Sequence, residues 1–343
     1  MKSSNKTIET QFNNSDIATY KKEVLCIVLS YNGREDTSAC LQSIFSQQPE
    51  GLDVIVVDNA SRAGVVEALK ILHPDVEIVA LTENLGWAGG NNVGIRIGLE
   101  RGYKWVCLLN NDIEFPVGQL EHWLASIKGS APCLLHPSIY YWSEPELAQI
   151  HPNFDGQPDC YTQHDLWQDK AVMNFAYGAC LAIHSEILIK TDLFDERFFL
   201  QLEETDFYHR AKKFAYDAVC DPSVKIFHKE SRAFGGKRAP IKTYYSVRNS
   251  FLLMEKKGKG LSSKLNDLQS LYWAICNLAT NMENANHIEK YRLLKWVFSS
   301  SPSAKAVRYG TRDYILRRFG KISDISHSKL QPEIGLLTAT EPM

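Results

Sequence analysis

Asn110-Asn111-Asp112 follows the apolar run Trp105-Val106-Cys107-Leu108-Leu109, whose composition suits a buried strand, so one acid falls at the carboxyl end of that strand. A lone carboxylate there binds a hard divalent cation when phosphate oxygens and water complete the shell, which points to a diphosphate ligand. A turn is the plain alternative, because Asn and Asp are favoured turn residues. Glu203-Glu204-Thr205-Asp206 is the densest acidic cluster. Asp206 reaches Arg210 at i,i+4 and reads as a surface ion pair. Glu203 and Glu204 have no basic residue at that spacing, which leaves them as candidate general bases, a role that asks for reach and a partly raised pKa. His228 closes the strand-like run Val224-Lys225-Ile226-Phe227. It is either an ordinary histidine, the commoner case, or the imidazole that completes a metal shell, and imidazole with one carboxylate suits Mn2+ better than Mg2+.

A second set of residues could hold the rest of such a ligand. Asp58-Asn59 offers an acceptor and a donor to the edge of a pyrimidine base, although a helix N-cap uses the same residue types. Gly86-Trp87-Ala88-Gly89-Gly90 lets backbone approach a ligand and leads into a helix start, where free N–H groups stabilise anions. A tight strand-to-helix turn would need the same glycines. The dinucleotide fingerprint is excluded, since it follows the first strand, and the first strand here ends in Ser30-Tyr31-Asn32.

Such residues need a scaffold that brings distant strand ends together. Residues 24–29 and 53–57 read as buried parallel strands closed by polar loops. A helix capped by Thr37 or Ser38 lies between them, and a crossover helix spans 65–72. Residues 76–81 form a third strand, 82–92 a loop, 93–101 a helix and 105–109 a fourth strand. This succession predicts an α/β fold with ligand sites at the carboxyl ends of its strands. Residues 132–169 have weak periodicity and read as irregular structure and strands that shape a substrate cleft. Beyond them a helix is expected over about 204–214, a strand at 224–228, and helices over 243–257, 262–279 and 288–319.

The 343 residues, 44% hydrophobic and 23% charged, suffice for a substantial core in one or two domains. Eight cysteines lie scattered without a Cys-x-x-Cys pair, which argues against a zinc site and for a reducing compartment. The first 22 residues are polar, unlike a signal peptide, and no apolar run reaches the roughly 20 residues of a spanning helix. A cytoplasmic location is therefore expected. The net charge of −2 conceals an asymmetry, with +13 over residues 229–321 and −15 over the remainder. A basic helical segment after an acidic α/β domain suggests an anionic surface such as phospholipid headgroups or a lipid diphosphate, with solvated helix faces the equal alternative. Nucleic acid ranks lower, because no recognisable module arranges base-stacking aromatics.

Taken in order, several short motifs between residues 24 and 255 resemble the family 2 inverting glycosyltransferases of the GT-A fold, and among them the bacterial rhamnosyltransferase-like branch. They are Ser30-Tyr31-Asn32, Val57-Asp58-Asn59-Ala60-Ser61, the stretch from Asn84 to Asn92, Leu109-Asn110-Asn111-Asp112, Phe194-Asp195-Glu196-Arg197-Phe198-Phe199, Glu203-Glu204-Thr205-Asp206, Phe227-His228-Lys229 and Tyr244-Tyr245-Ser246-Val247-Arg248-Asn249. The resemblance implies a Rossmann-like, mostly parallel central sheet flanked by helices, with a helical C-terminal extension. The expected divisions are a polar tail over 1–22, a catalytic domain over 23–240 (nucleotide-binding half 23–115, acceptor half 116–240), a basic helical region over 241–330 and a tail over 331–343.

The resemblance further implies that Ser30, Asn32 and Asp58 line the nucleoside pocket, with Asn84, Gly86, Gly89 and Gly90 beside the ribose and diphosphate. Asn59, Asn110 and Asn111 complete the donor-contacting set. Asp112 matches the metal-binding end of the family's Asp-x-Asp motif. Asn110 replaces the first acid, so a cation depends on Asp112, the diphosphate and His228. The second acid of the family's Glu-Asp motif is the usual base, and Glu204 matches it with one extra methylene, leaving Glu203 as rival. The implied reaction moves a sugar from a dTDP- or UDP-sugar, rhamnose favoured, to a hydroxyl of a glycan or lipid-linked acceptor, with Mn2+ or Mg2+. The implied setting is cell-surface polysaccharide synthesis at the inner membrane face, with homo-oligomers left open. One rival is a nucleotidyltransferase, which wants a second metal-binding carboxylate and an early basic residue that Ser30-Tyr31-Asn32-Gly33 does not supply. The other is a non-catalytic nucleotide-sugar-binding subunit, suggested by the missing first aspartate.

Overall fold

The computed structural model describes residues 20–151, 169–229, 239–258, 265–272, 274–276, 290–328 and 330. The first half is parallel. β1 (Lys22–Ser30), β2 (Leu52–Asp58), β3 (Glu77–Ala80) and β4 (Tyr103–Asn110) lie in the order β3-β2-β1-β4. Their aliphatic runs suit strands covered on both faces, and Val24 to Val28 of β1 are at most 1% exposed. α1 (Arg34–Phe45), α2 (Val65–Leu72) and α3 (Gly86–Glu100) make the crossovers. Strand order reverses at β1, so the carboxyl ends of β1, β2 and β4 open on one crevice.

Two helix starts differ from the sequence reading. α1 begins at Arg34 behind Gly33, and Thr37 is buried within it instead of capping it. Its hydroxyl lies 2.8 Å from that of Ser30 and accepts from Asn111 Nδ2 at 3.0 Å. α3 begins at Gly86, seven residues before the expected start at Val93, so the glycine stretch is helix. A Cβ at Gly90 would stand 2.6 Å from Leu29, one at Gly94 2.6 Å from Ile27, and one at Gly98 2.9 Å from Val106. This i,i+4 stripe lets α3 lie directly on β1 and β4.

The second half is mixed. It comprises β5 (Ile113–Glu114), α4 (Gln119–Lys128), β6 (Leu134–Tyr141), β7 (Ala148–Ile150), β8 (Ala171–Met173), β9 (Cys180–His184), α5 (Ser185–Thr191), α6 (Glu203–Lys212) and β10 (Ala218–His228). β9 runs antiparallel between β4 and β6, while β10 is parallel to β6 and antiparallel to β5 and β8. Among the described residues the ten strands form one sheet. The region expected to be irregular supplies β6 and β7, although residues 152–168 lie outside the description, as do 1–19 and 331–343 of the expected tails. Seven cysteines are buried and free, and Cys160 lies outside the described residues.

α7 (Pro240–Lys257), α8 (Lys290–Val297), α9 (Pro302–Ile315) and α10 (Asp324–Ser328) follow, and residues 265–272 are also helical. α7 crosses α9 at Gly310, where a Cβ would stand 2.7 Å from the Tyr244 carbonyl oxygen. No helix among the described residues is long and apolar enough to cross a membrane.

Candidate active site

A cleft of about 720 Å³ opens at the strand ends, walled by the start of α3, residues 199–204, His228 and one side of α7. Of the residues singled out from sequence, Asn59, Asn84, Gly86, Asn110, Asn111, Asp112, Glu203, Glu204 and His228 line it. Ser30, Asn32, Asp58, Gly89 and Gly90 lie outside its lining.

The antiparallel pairing of β10 with β5 sets His228 opposite Ile113, and Lys229 N donates to the Asp112 carbonyl at 3.0 Å. This brings His228 Nε2 within 3.2 Å of Asp112 Oδ1. Gln149 of β7 fixes the ring, with its Oε1 2.8 Å from His228 Nδ1 and its Nε2 donating to the His228 carbonyl at 3.1 Å. An amide oxygen only accepts, so Nδ1 donates to Gln149 and Nε2 is the ring atom that faces the Asp112 carboxylate. Nε2 is buried and makes no hydrogen bond. A ring nitrogen and a carboxylate oxygen at this distance are a donor pair that a proton or a metal ion can bridge. Among the described residues no group of three His, Cys, Asp or Glu side chains could hold a metal, so Asp112 and His228 do not by themselves make a complete metal site. Sequence gave no cue to Gln149, which sits in a three-residue strand.

The other strand-end residues brace the cleft. Asn110 Oδ1 accepts from the Trp87 indole at 2.9 Å, so the side chain in place of the motif's first acid anchors the start of α3. Asn111 Nδ2 donates to Thr37 Oγ1 and, at 3.3 Å, to the Gly33 carbonyl. Asn59 holds the turn before α3 at both ends, accepting from Leu85 N at 2.8 Å and donating to the Gly86 carbonyl at 2.9 Å. Asn84 Oδ1 accepts from Gly86 N at 2.8 Å, and Trp87 N donates to the Phe199 carbonyl at 2.7 Å. These first amides of α3 are thereby spent within the protein. Gly89 packs against Leu85 and Gly90 against Leu29. Asp58, 1% exposed, accepts from Ser61 N at 2.9 Å and Ser61 Oγ at 2.5 Å. Asn32, at φ +57°, accepts from Arg62 N at 2.8 Å and clips the loops after β1 and β2 together.

Glu203 and Glu204 enter the opposite wall as the first residues of α6. Glu203 is 4% exposed, and its Oε2 makes no hydrogen bond. Burial, reinforced by the neighbouring Glu204 charge, pushes its carboxyl well above the usual range. Glu204 is half-buried at the cleft, and desolvation raises it to about 7. Asp206 departs from the surface ion pair read from sequence. It is 2% exposed because α7 covers it, and it accepts from Arg210 Nε and from Lys256 Nζ of α7, each at 2.9 Å.

A family model described as glycosyl transferase family 2 matches residues 25–198, just over half of the chain. The chain belongs to glycosyl transferase family 2. It is similar to the low-salt glycan biosynthesis hexosyltransferase Agl10 of Haloferax volcanii, 22% identical over 68% of this chain and 76% of that one. It is also similar to the N-acetylglucosaminyl-diphospho-decaprenol L-rhamnosyltransferase of Mycobacterium tuberculosis, 23% identical over 61% and 76%. The dTDP-rhamnosyl transferase RfbF of Shigella flexneri matches at 23% over 79% and 93%. Among solved structures, the mannosyltransferase PcManGT from Pyrobaculum calidifontis in complex with GDP-Man and Mn2+ aligns with a TM-score of 0.52 at 17% identity, covering 88% of this chain and 89% of that one. That likeness is one of fold, the GT-A architecture. The family 2 chain is thus a glycosyltransferase, with its strand-end acid and its helix-start acids on facing walls of one cleft.

Proposed function

We propose that the chain transfers a sugar, rhamnose first, from a dTDP- or UDP-sugar to a hydroxyl of a glycan or lipid-linked acceptor, with inversion at the anomeric carbon. The observation that carries this reading is that one cleft holds both the Asp112–His228 pair and the Glu203–Glu204 pair. Asp112 and the orphaned His228 Nε2 fit a divalent cation, Mn2+ ahead of Mg2+, with diphosphate oxygens and water completing the shell. Bound there, such an ion supplies charge neutralisation of the departing nucleoside diphosphate. Glu204 takes the proton from the acceptor hydroxyl. Glu203 keeps its own proton meanwhile, since two adjacent charges in a desolvated site repel. Asn59, Asn84 and Gly86 border the donor, braced by Ser30, Asn32 and Asp58 behind them.

The far end of the cleft supports an acceptor with an apolar chain, being lined by Val247, Leu253, Leu271 and Ile275. Leu265, Leu268 and Tyr272 nearby, and Leu294 with Phe298 at α8, are exposed apolar side chains on the basic part of the molecule. They support peripheral contact with an anionic bilayer.

Purified protein with Mn2+ is expected to release nucleoside diphosphate from one member of a dTDP- and UDP-sugar panel when a lipid diphosphate acceptor is present. Donor binding without release under any acceptor would favour the non-catalytic subunit. Pyrophosphate release from a nucleoside triphosphate and a sugar phosphate would favour the nucleotidyltransferase.

A further inference from the structure

α7 has two working faces. Lys242, Ser246, Ser250, Leu253 and Lys257, spaced by three and four residues, line the cleft. Arg248, Asn249 and Lys256 lie on the adjacent face and reach the segment that leads into α6. Arg248 is 0% exposed. Its Nη1 donates to the Gly320 carbonyl at 2.6 Å, its Nη2 to the Arg197 and Phe198 carbonyls at 3.0 and 2.8 Å, and its Nε to Asn249 Oδ1 at 3.0 Å. The Tyr245 ring lies 4.9 Å from its guanidinium carbon. Asn249, oriented by that bond, donates from Nδ2 to the carbonyls of Phe198 at 2.9 Å and of Leu200 and Gln201 at 2.8 Å each.

The gripped segment is a strained one. Phe199, Gln201 and Leu202 have φ of +63°, +71° and +71°, a region costly for residues with a Cβ and kept only where the surroundings hold it. Glu203 and Glu204 follow directly. The same segment meets α3, since a Cβ on Gly86 would stand 2.2 Å from the Phe199 carbonyl oxygen.

We propose that Arg248 and Asn249 are positioning residues for the reaction. They hold residues 198–202 in the strained form that aims Glu204 into the cleft. The proposal rests on the reading of Glu204 as base. A group that only fills the core would affect stability. A positioning group changes the rate of folded enzyme, because a displacement on the order of 1 Å costs roughly 100-fold.

Arg248→Lys keeps the charge and loses the planar fork, and Asn249→Ala removes two donors without burying a charge. Both are expected to lower kcat roughly 10- to 100-fold while donor dissociation constants stay within about two-fold of the parent. Guanidinium ion is expected to restore part of the rate of Arg248→Ala. Gly98→Ala, which crowds the C-terminal end of α3 against Val106, serves as the control and should lose stability while keeping kcat at temperatures where it is folded. If Arg248→Lys fails to fold, Asn249→Ala decides. Folded variants with kcat within about two-fold of the parent, alongside an inactive Glu204→Gln, would overturn the positioning role and leave the base assignment standing. An active Glu204→Gln would instead remove the base assignment.

Discussion

Two carboxyls side by side at the start of a buried helix cannot both be ionised cheaply, and this sets what each does. A base is useful only when deprotonated, so with Glu204 raised to about 7 by desolvation, kcat is expected to climb as pH rises through 7 and then level. A pH–rate profile already flat at pH 5 would remove Glu204 from the role. Glu203 gives the complementary prediction. Its folded pKa lies above its unfolded value, so its contribution to stability is full below the ordinary carboxylate range and is lost as pH rises through the folded value. Glu203→Gln cannot ionise, and its melting temperature should exceed the parent's at pH 8 and match it near pH 4. The gain is read at about 2–4 °C per kcal/mol in a chain of this order of size, and equal melting at both pH values would refute the prediction. Gln149→Leu should weaken Mn2+-dependent donor binding roughly 10- to 100-fold, measured by calorimetry, because the His228 ring loses its orientation. Asp112, His228 and the two glutamates, which meet at one cleft, stood out in sequence because each closes or opens a strongly patterned element. Gln149 was not, since its partner lies 79 positions away and β7 is three residues long.

Among the elements, α3 teaches why a helix start can read as a loop. Helical period is recognised from apolar side chains, and in this stretch the face that meets the sheet is marked by glycines, which have none. The spacing of Gly86, Gly90, Gly94 and Gly98 is i,i+4 throughout, the signature of close backbone approach. Gly94→Ala tests this directly. Its Cβ would meet three Ile27 side-chain carbons between 2.6 and 3.0 Å away, and overpacking of that kind costs about 1–3 kcal/mol. Urea unfolding should report the loss, and an unchanged midpoint would mean that α3 can lift off β1 without strain. Gly86→Ala differs in kind, because its φ of +75° and the adjacent Phe199 carbonyl make the change a local distortion at the cleft wall. The strands β1, β2 and β4 were legible because hydrophobic residues cover both of their faces without interruption.

Across the whole molecule, charge and packing divide the chain differently. The change of composition near residue 229 marks where the basic excess begins, yet α7 within it is built into the wall of the cleft. Tyr245 stacks on Phe199 with ring centres 5.3 Å apart, and Lys256 pairs with Asp206 of α6. Sequence reveals composition directly, whereas the Arg248–carbonyl contacts become visible only when segments 50 residues apart meet. The basic excess of +13 over residues 229–321 belongs to the same stretch of chain that exposes Leu294 at 61% and Phe298 at 72%. Cations attract an anionic bilayer over about one Debye length, and salt screens that attraction, while apolar burial at the interface is nearly indifferent to salt. Flotation with phosphatidylserine vesicles should therefore retain the protein at low salt and release most of it at high salt. Leu294→Ser combined with Phe298→Ser should weaken binding at both salt levels, because it removes the component that salt does not touch. Binding that ignores salt in the parent would eliminate the electrostatic contribution, and an unaffected double variant would move the contact to another face.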